Sequence, residues 1–126
     1  MIVGIGNDII EIERIQKAIS RPNFLARYFT KAEFDLFSER KMNPSTIAAN
    51  FSVKEAVAKV FGTGIRGFSL KDVEILRDDL GRPYINLYGR AKEIANQMGI
   101  DKWHITVSHT KSMVSVVVLG EKYDYS

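Results

Sequence analysis

Two carboxylates and one lysine are the residues best placed to do chemistry. Glu55 and Lys59 stand four residues apart in Lys54-Glu55-Ala56-Val57-Ala58-Lys59, which puts both on one face of a helix. One reading is a surface ion pair contributing about 0.2–0.5 kcal/mol. Phe51 and Ala58 lie on the turns either side of Glu55, so that face is apolar above and below a carboxylate. A partly buried carboxylate calls for a cation. Asp8 follows the apolar β-branched run Ile2 to Gly6, past the expected end of a short strand, and is a second carboxylate that a fold can bring opposite Glu55. Two carboxylates completed by water and phosphate oxygens are the usual protein share of a magnesium site. Lys59, one turn on, would then hold a phosphate from the other side. Zinc fits less well, because cysteine is absent and His104 and His109 are the only imidazoles.

Two further motifs offer chemistry. Gly62-Thr63-Gly64-Ile65-Arg66-Gly67 matches the dinucleotide fingerprint G-x-G-x-x-G. That fingerprint requires a strand before it and a helix after it, whereas here a helix precedes and a strand follows. The glycines therefore read as a helix stop and a tight loop. Ser108-His109-Thr110-Lys111-Ser112 gathers phosphate-capable donors in a turn, and reads equally as a polar hairpin turn. No spacing supplies the acid and strained nucleophile that a Ser-His triad needs.

These groups must be positioned by a chain of 126 residues, 45% hydrophobic and 26% charged. That length suits one domain, which buries roughly two thirds of its unfolded surface and needs no disulfide or structural metal. Zero cysteines exclude thiolate metal sites and thiol nucleophiles and fit a reducing compartment. The start Met1 to Asp8 is not a signal peptide, and Val114 to Leu119 is far shorter than the ~20 residues of a membrane span. A soluble cytoplasmic protein is the expectation.

Helical spacing of Ile12, Ile15 and Ile19 predicts an amphipathic first helix ended by Pro22. Thr30 and Glu33 form a capping-box signature opening a second helix to about Lys41. A longer central helix is expected from Pro44-Ser45 to Phe61, with Gly62 as its stop. Residues 73–76 and 84–87 read as a hairpin turning through Asp78 to Gly81, residues 89–98 as a helix stopped by Gly99, and Trp103–Ser108 with Met113–Leu119 as a second hairpin. Helices early and hairpins late predict an α+β fold, a single domain over 1–126 with a mainly antiparallel sheet.

The formal charge of +3 is too small to announce nucleic acid. Its placement is more informative, since Arg14 to Lys31 holds Arg14, Lys17, Arg21, Arg27 and Lys31 and no acid. This run is either a solvated helix face or the docking surface for an acidic partner. A small basic binding module for RNA or another acidic surface, working without magnesium, is the competing function class.

With these residues in view, the chain resembles the short bacterial holo-(acyl-carrier-protein) synthases of the 4'-phosphopantetheinyl transferase superfamily. Gly4-Ile5-Gly6-Asn7-Asp8 is similar to the family's G-I-G-x-D, and Phe51 to Lys59 to its F-x-x-K-E-A-x-x-K, at the expected separation. The resemblance runs from Met1 to about Leu119. It implies a 4'-phosphopantetheinyl transferase fold, and transfer of phosphopantetheine from coenzyme A to a serine of an apo acyl carrier protein, releasing adenosine 3',5'-bisphosphate in support of fatty acid biosynthesis. It implies that Asp8 and Glu55 bind magnesium and that Lys59 contacts the pyrophosphate. Pro83, His109 and Thr110 would lie near the nucleotide, with Arg40 and Lys41 at its 3'-phosphate. Either Glu55 or a water on the metal would take the serine proton. The acidic carrier is expected on Arg14, Lys17, Arg21 and Arg27, with Phe24 as an apolar anchor. Family members are typically trimers with sites between protomers, so a homotrimer is the expectation for this chain, with no nucleic acid or membrane partner expected. One departure is Asn50, where many relatives carry Arg, which removes one expected phosphate contact.

Overall fold

The computed structural model describes residues 1–62 and 67–123. Its elements run β1 (Ile2–Glu11), α1 (Ile12–Ile19), α2 (Phe24–Tyr28), α3 (Lys31–Glu39), α4 (Pro44–Phe61), a 3-10 turn (Leu70–Asp72), β2 (Val73–Arg77), β3 (Pro83–Leu87), α5 (Gly89–Met98), β4 (Lys102–His109) and β5 (Met113–Glu121). The expected α+β class holds. β1, β5 and β4 form a three-stranded antiparallel sheet in that order, and β2–β3 is a separate antiparallel hairpin.

α4 is the centre of the molecule. Pro44 opens it beside Asn43, whose side chain accepts from the Ser45 amide, and Gly62 closes it at φ 76. Both signals were legible, and the bounds agree. Its apolar residues are not confined to one stripe, because the three-stranded sheet packs on one side while α1 and β2 pack on the others. Val114, Val116 and Val118 of β5 and Ile10 of β1 meet Ala49, Val53, Ala56, Val57 and Val60 in the core. Each fully buried aliphatic side chain of this kind is worth roughly 1.5–3 kcal/mol relative to exposure.

Two elements differ from the expectation. β1 does not stop at Gly6 but continues to Glu11, so Asp8 lies within the strand, opposite Val116. Asn7-Asp8 carries a turn signal, yet pairing along β5 outweighs local propensity. α2 was missed because five residues are too few to show a helical period. The loop reading of Thr63 to Arg66 lies outside the described residues.

Candidate active site

The site begins with two glycines. A Cβ built on Gly6 would come within 2.1 Å of the Ala56 carbonyl oxygen, and one on Gly4 within 2.8 Å of the Val60 carbonyl oxygen. Only glycine lets β1 lie this close to α4. That approach sets Asp8 directly against the α4 face carrying Ser52, Glu55 and Lys59. Ser52, fully buried, donates its hydroxyl to Asp8 Oδ2 at 2.6 Å. Lys59 Nζ lies 3.6 Å from Asp8 Oδ1 and donates to the Asn7 carbonyl at 2.7 Å. The simple helix ion pair is therefore not what forms, since Lys59 pairs with Asp8 across to β1.

Glu55 is half-buried on the same face. Burial pushes its carboxyl pKa up, the neighbouring Asp8 charge pushes it further, and Lys59 and Arg14 only partly offset them. Two crowded carboxylates, one of them short of solvent, make an electrostatic deficit that a cation relieves. Among the described residues no three acidic or histidine side chains gather into an all-protein cage. Magnesium fits this donor set, because it is commonly held by one or two carboxylates with water and phosphate completing the shell.

Glu55 opens into a cleft of about 880 Å³ bounded by α1, α2, α4 and the Phe68–Leu70 segment. Arg14, Arg21 and Arg27 line it, so three members of the basic run face the carboxylate's cleft rather than bulk solvent alone. Lys17 does not; it is exposed and pairs with Glu13 at 3.4 Å. Phe24, expected as an apolar anchor, lies on the lining of the same cleft. It is only 9% exposed and packs among Tyr28, Phe29 and Phe51, because an aromatic ring at the start of α2 is worth more inside the cluster than in water.

The nucleotide candidates are not brought to this cleft within one chain. His109 ends β4 exposed, and Thr110 follows with its Oγ1 accepting from the Ser112 and Met113 amides at 3.3 and 3.1 Å. Pro83 opens β3 opposite Arg77. Arg40 caps α3 and Lys41 follows at φ 57. Arg77, which the sequence did not suggest, has its pKa pushed down to about 10 by burial and then by the charge of Arg40. Asn50 is the position where the sequence departs from the resemblance. Its side chain is buried and donates to Glu33 Oε2 at 3.0 Å and to the Ile75 carbonyl at 2.9 Å, so it faces the interior and not the cleft.

The sequence pattern described as the 4'-phosphopantetheinyl transferase superfamily matches residues 4–110. A Clostridium novyi protein named holo-[acyl-carrier-protein] synthase is 53% identical over 110 residues, covering 86% of this chain and 80% of the relative. The chain is similar in structure to holo-[acyl-carrier-protein] synthase from Neisseria meningitidis, with TM-score 0.87, 32% identity, and 97% and 100% of the two chains covered. It is similar also to the Helicobacter pylori holo-[acyl-carrier-protein] synthase in complex with coenzyme A, with TM-score 0.81, 32% identity, and coverage of 93% and 99%.

Proposed function

The chain belongs to the 4'-phosphopantetheinyl transferase superfamily and is an enzyme of the holo-(acyl-carrier-protein) synthase kind, and from that premise we propose a magnesium-dependent transfer from coenzyme A to an acyl carrier protein. The reading rests above all on the Asp8–Glu55–Lys59 constellation at the head of a cleft lined with arginines. Asp8 and Glu55 would hold the metal, with Ser52 fixing Asp8 Oδ2 and Lys59 giving up Oδ1 to it. When bound, magnesium neutralises charge developing on the pyrophosphate. Lys59, already within reach of the Asp8 carboxylate, turns its ammonium to a phosphate oxygen.

In the transfer, the carrier's serine oxygen forms a bond to the β-phosphorus of coenzyme A as the bond to the leaving phosphate breaks. Adenosine 3',5'-bisphosphate departs, and the serine proton passes to a base, for which Glu55 is this chain's group in the cleft. Arg14, Arg21 and Arg27 supply the positive rim that an acidic carrier requires.

Pro83, His109, Thr110, Arg40 and Lys41 fall to the nucleotide half of a site completed by a second copy. Two observations favour a homotrimer with shared sites. These residues do not line the cleft. The outer face of the three-stranded sheet leaves Ile5 and Ile9 more than 60% exposed beside Val117 and Leu119, an apolar patch suited to a second copy. No helix among the described residues is long and apolar enough to cross a membrane. A cytoplasmic role in fatty acid biosynthesis completes the proposal. Its test is Asp8→Asn and Glu55→Gln with Mn2+ as probe: each loses metal binding and release of adenosine 3',5'-bisphosphate while staying folded. Retained release in either variant removes the metal assignment.

A further inference from the structure

Glu33 and Lys54 take no part in this transfer, yet both side chains are fully buried, with Lys54 Nζ 2.8 Å from Glu33 Oε1. Glu33 also accepts from the Thr30 amide at 3.1 Å, from Asn50 Nδ2 at 3.0 Å and from the Ile75 amide at 3.4 Å. A pair this deep gives little net stability, because desolvating two charges cancels most of their attraction, and apolar replacements of equal volume are often neutral or better. Its presence therefore calls for an account beyond stability.

The remaining bonds of Lys54 supply one. Nζ donates to the main-chain carbonyls of Leu70, at 3.0 Å, and of Val73, and it sits 5.1 Å from the Phe29 ring centroid. Leu70, Ser69 and Phe68 form a wall of the same cleft that Glu55 lines. Lys54 and Glu55 are consecutive on α4, so one side chain fastens the root of that wall and the next points into the space it encloses. A three-donor ammonium held by one carboxylate and two carbonyls has its position over-determined. We propose that the Glu33–Lys54 pair is a positioning device: it ties the Phe68–Leu70 wall to α4 and so sets the width of the cleft in which Glu55 works. The effect on turnover rests on the transfer reading above; the tether does not.

The test separates positioning from stability by comparing Lys54→Met with the double variant Lys54→Met/Glu33→Gln. The single variant leaves a buried carboxylate without its cation and lowers Tm. The double variant removes that unpaired charge, so Tm returns toward the wild-type value, but the two carbonyls stay released. In both, the Asp72 and Val73 amides, which donate to Ser69 and Leu70 carbonyls, lose hydrogen-exchange protection at least tenfold more than the α4 amides. In the double variant kcat/KM for transfer stays down by on the order of a hundredfold, the cost of roughly an ångström of misplacement, while Mn2+ affinity is unchanged. Ile47→Val, a buried α4 change away from the cleft, lowers Tm without this pattern. Wild-type transfer restored together with Tm in the double variant, or unaltered protection at Asp72 and Val73, overturns the proposal. Should the unmodified enzyme transfer nothing, the transfer reading fails and the exchange measurement still decides the tether.

Discussion

Gly6→Ala tests whether the close approach of β1 to α4 is what creates the site. The added methyl would sit 2.1 Å from the Ala56 carbonyl oxygen and 3.1 Å from the Lys59 Cβ. Neither is the free end of a flexible chain, since one is helix backbone and the other the root of a site residue. Relief requires the strand and helix to separate by about an ångström, because repulsion is steep inside the normal contact distance. Overpacking of this kind costs roughly 1–3 kcal/mol. The effect on function is larger than that fraction of stability suggests, because Asp8 and Ser52 sit on opposite sides of the widened gap and their 2.6 Å bond breaks. A displacement of this size at a catalytic constellation costs on the order of a hundredfold in rate. The assay is kcat/KM for modification of an apo carrier at saturating magnesium, alongside Tm and Mn2+ affinity. Gly6→Ala with transfer within a few-fold of the unmodified enzyme and an unchanged Tm would refute the packing argument, and with it the explanation of the Gly4-Ile5-Gly6 motif.

Other substitutions probe separate links. Lys59→Met keeps the stem and removes the charge; turnover should fall on the order of a hundredfold, as for one preorganised electrostatic contact, with little change in Tm at this half-exposed position, and near-normal turnover would return Lys59 to an ordinary surface role. Ser52→Ala frees Asp8 Oδ2, and weakens Mn2+ binding by about tenfold, the lower end for loss of a group orienting a metal ligand; unaltered affinity would mean that Asp8 is held by its backbone alone. Arg21→Glu with Arg27→Glu should raise KM for the carrier, more so at low salt where repulsion is least screened, and leave KM for coenzyme A nearly unchanged. Arg14 is left out of that pair because its charge acts on Glu55 directly; equal movement of both KM values would indicate a disturbed fold or subunit contact.

The parts of the fold that were legible are those whose signals are local. Pro44 and Gly62 bound α4, Gly99 stops α5, and Thr30 with Glu33 forms the capping box foreseen for α3. What was hidden depends on contacts distant in sequence. Nothing in Thr30-Lys31-Ala32-Glu33 reveals that the capping carboxylate also binds Lys54, 21 residues away. Lys54 reads as one more charge of a helix motif until the fold closes over it. Residue types and expected elements offer Asp8 and Glu55 as a carboxylate pair and the resemblance of two motifs adds to it, but spacing does not show that they meet. The physical basis of the pairing, two glycines letting a strand lie against helix backbone, is visible only in three dimensions. The basic run was read as one face, but α1 turns Lys17 outward to Glu13 while Arg14, Arg21 and Arg27 converge on the cleft. Pro83, His109, Thr110, Arg40 and Lys41 lie apart from that cleft in the single chain, which is what the proposal of a site shared between copies requires.

Magnesium-dependent transfer is decided by the mass of an apo acyl carrier protein after incubation with this enzyme and coenzyme A, with magnesium or with excess chelator. With magnesium the carrier should gain one phosphopantetheinyl group on a serine, the chelated reaction should leave its mass unchanged, and Glu55→Gln should behave as the chelated reaction does. A carrier of unchanged mass in the magnesium reaction, or one modified equally well under chelation, would contradict magnesium-dependent transfer.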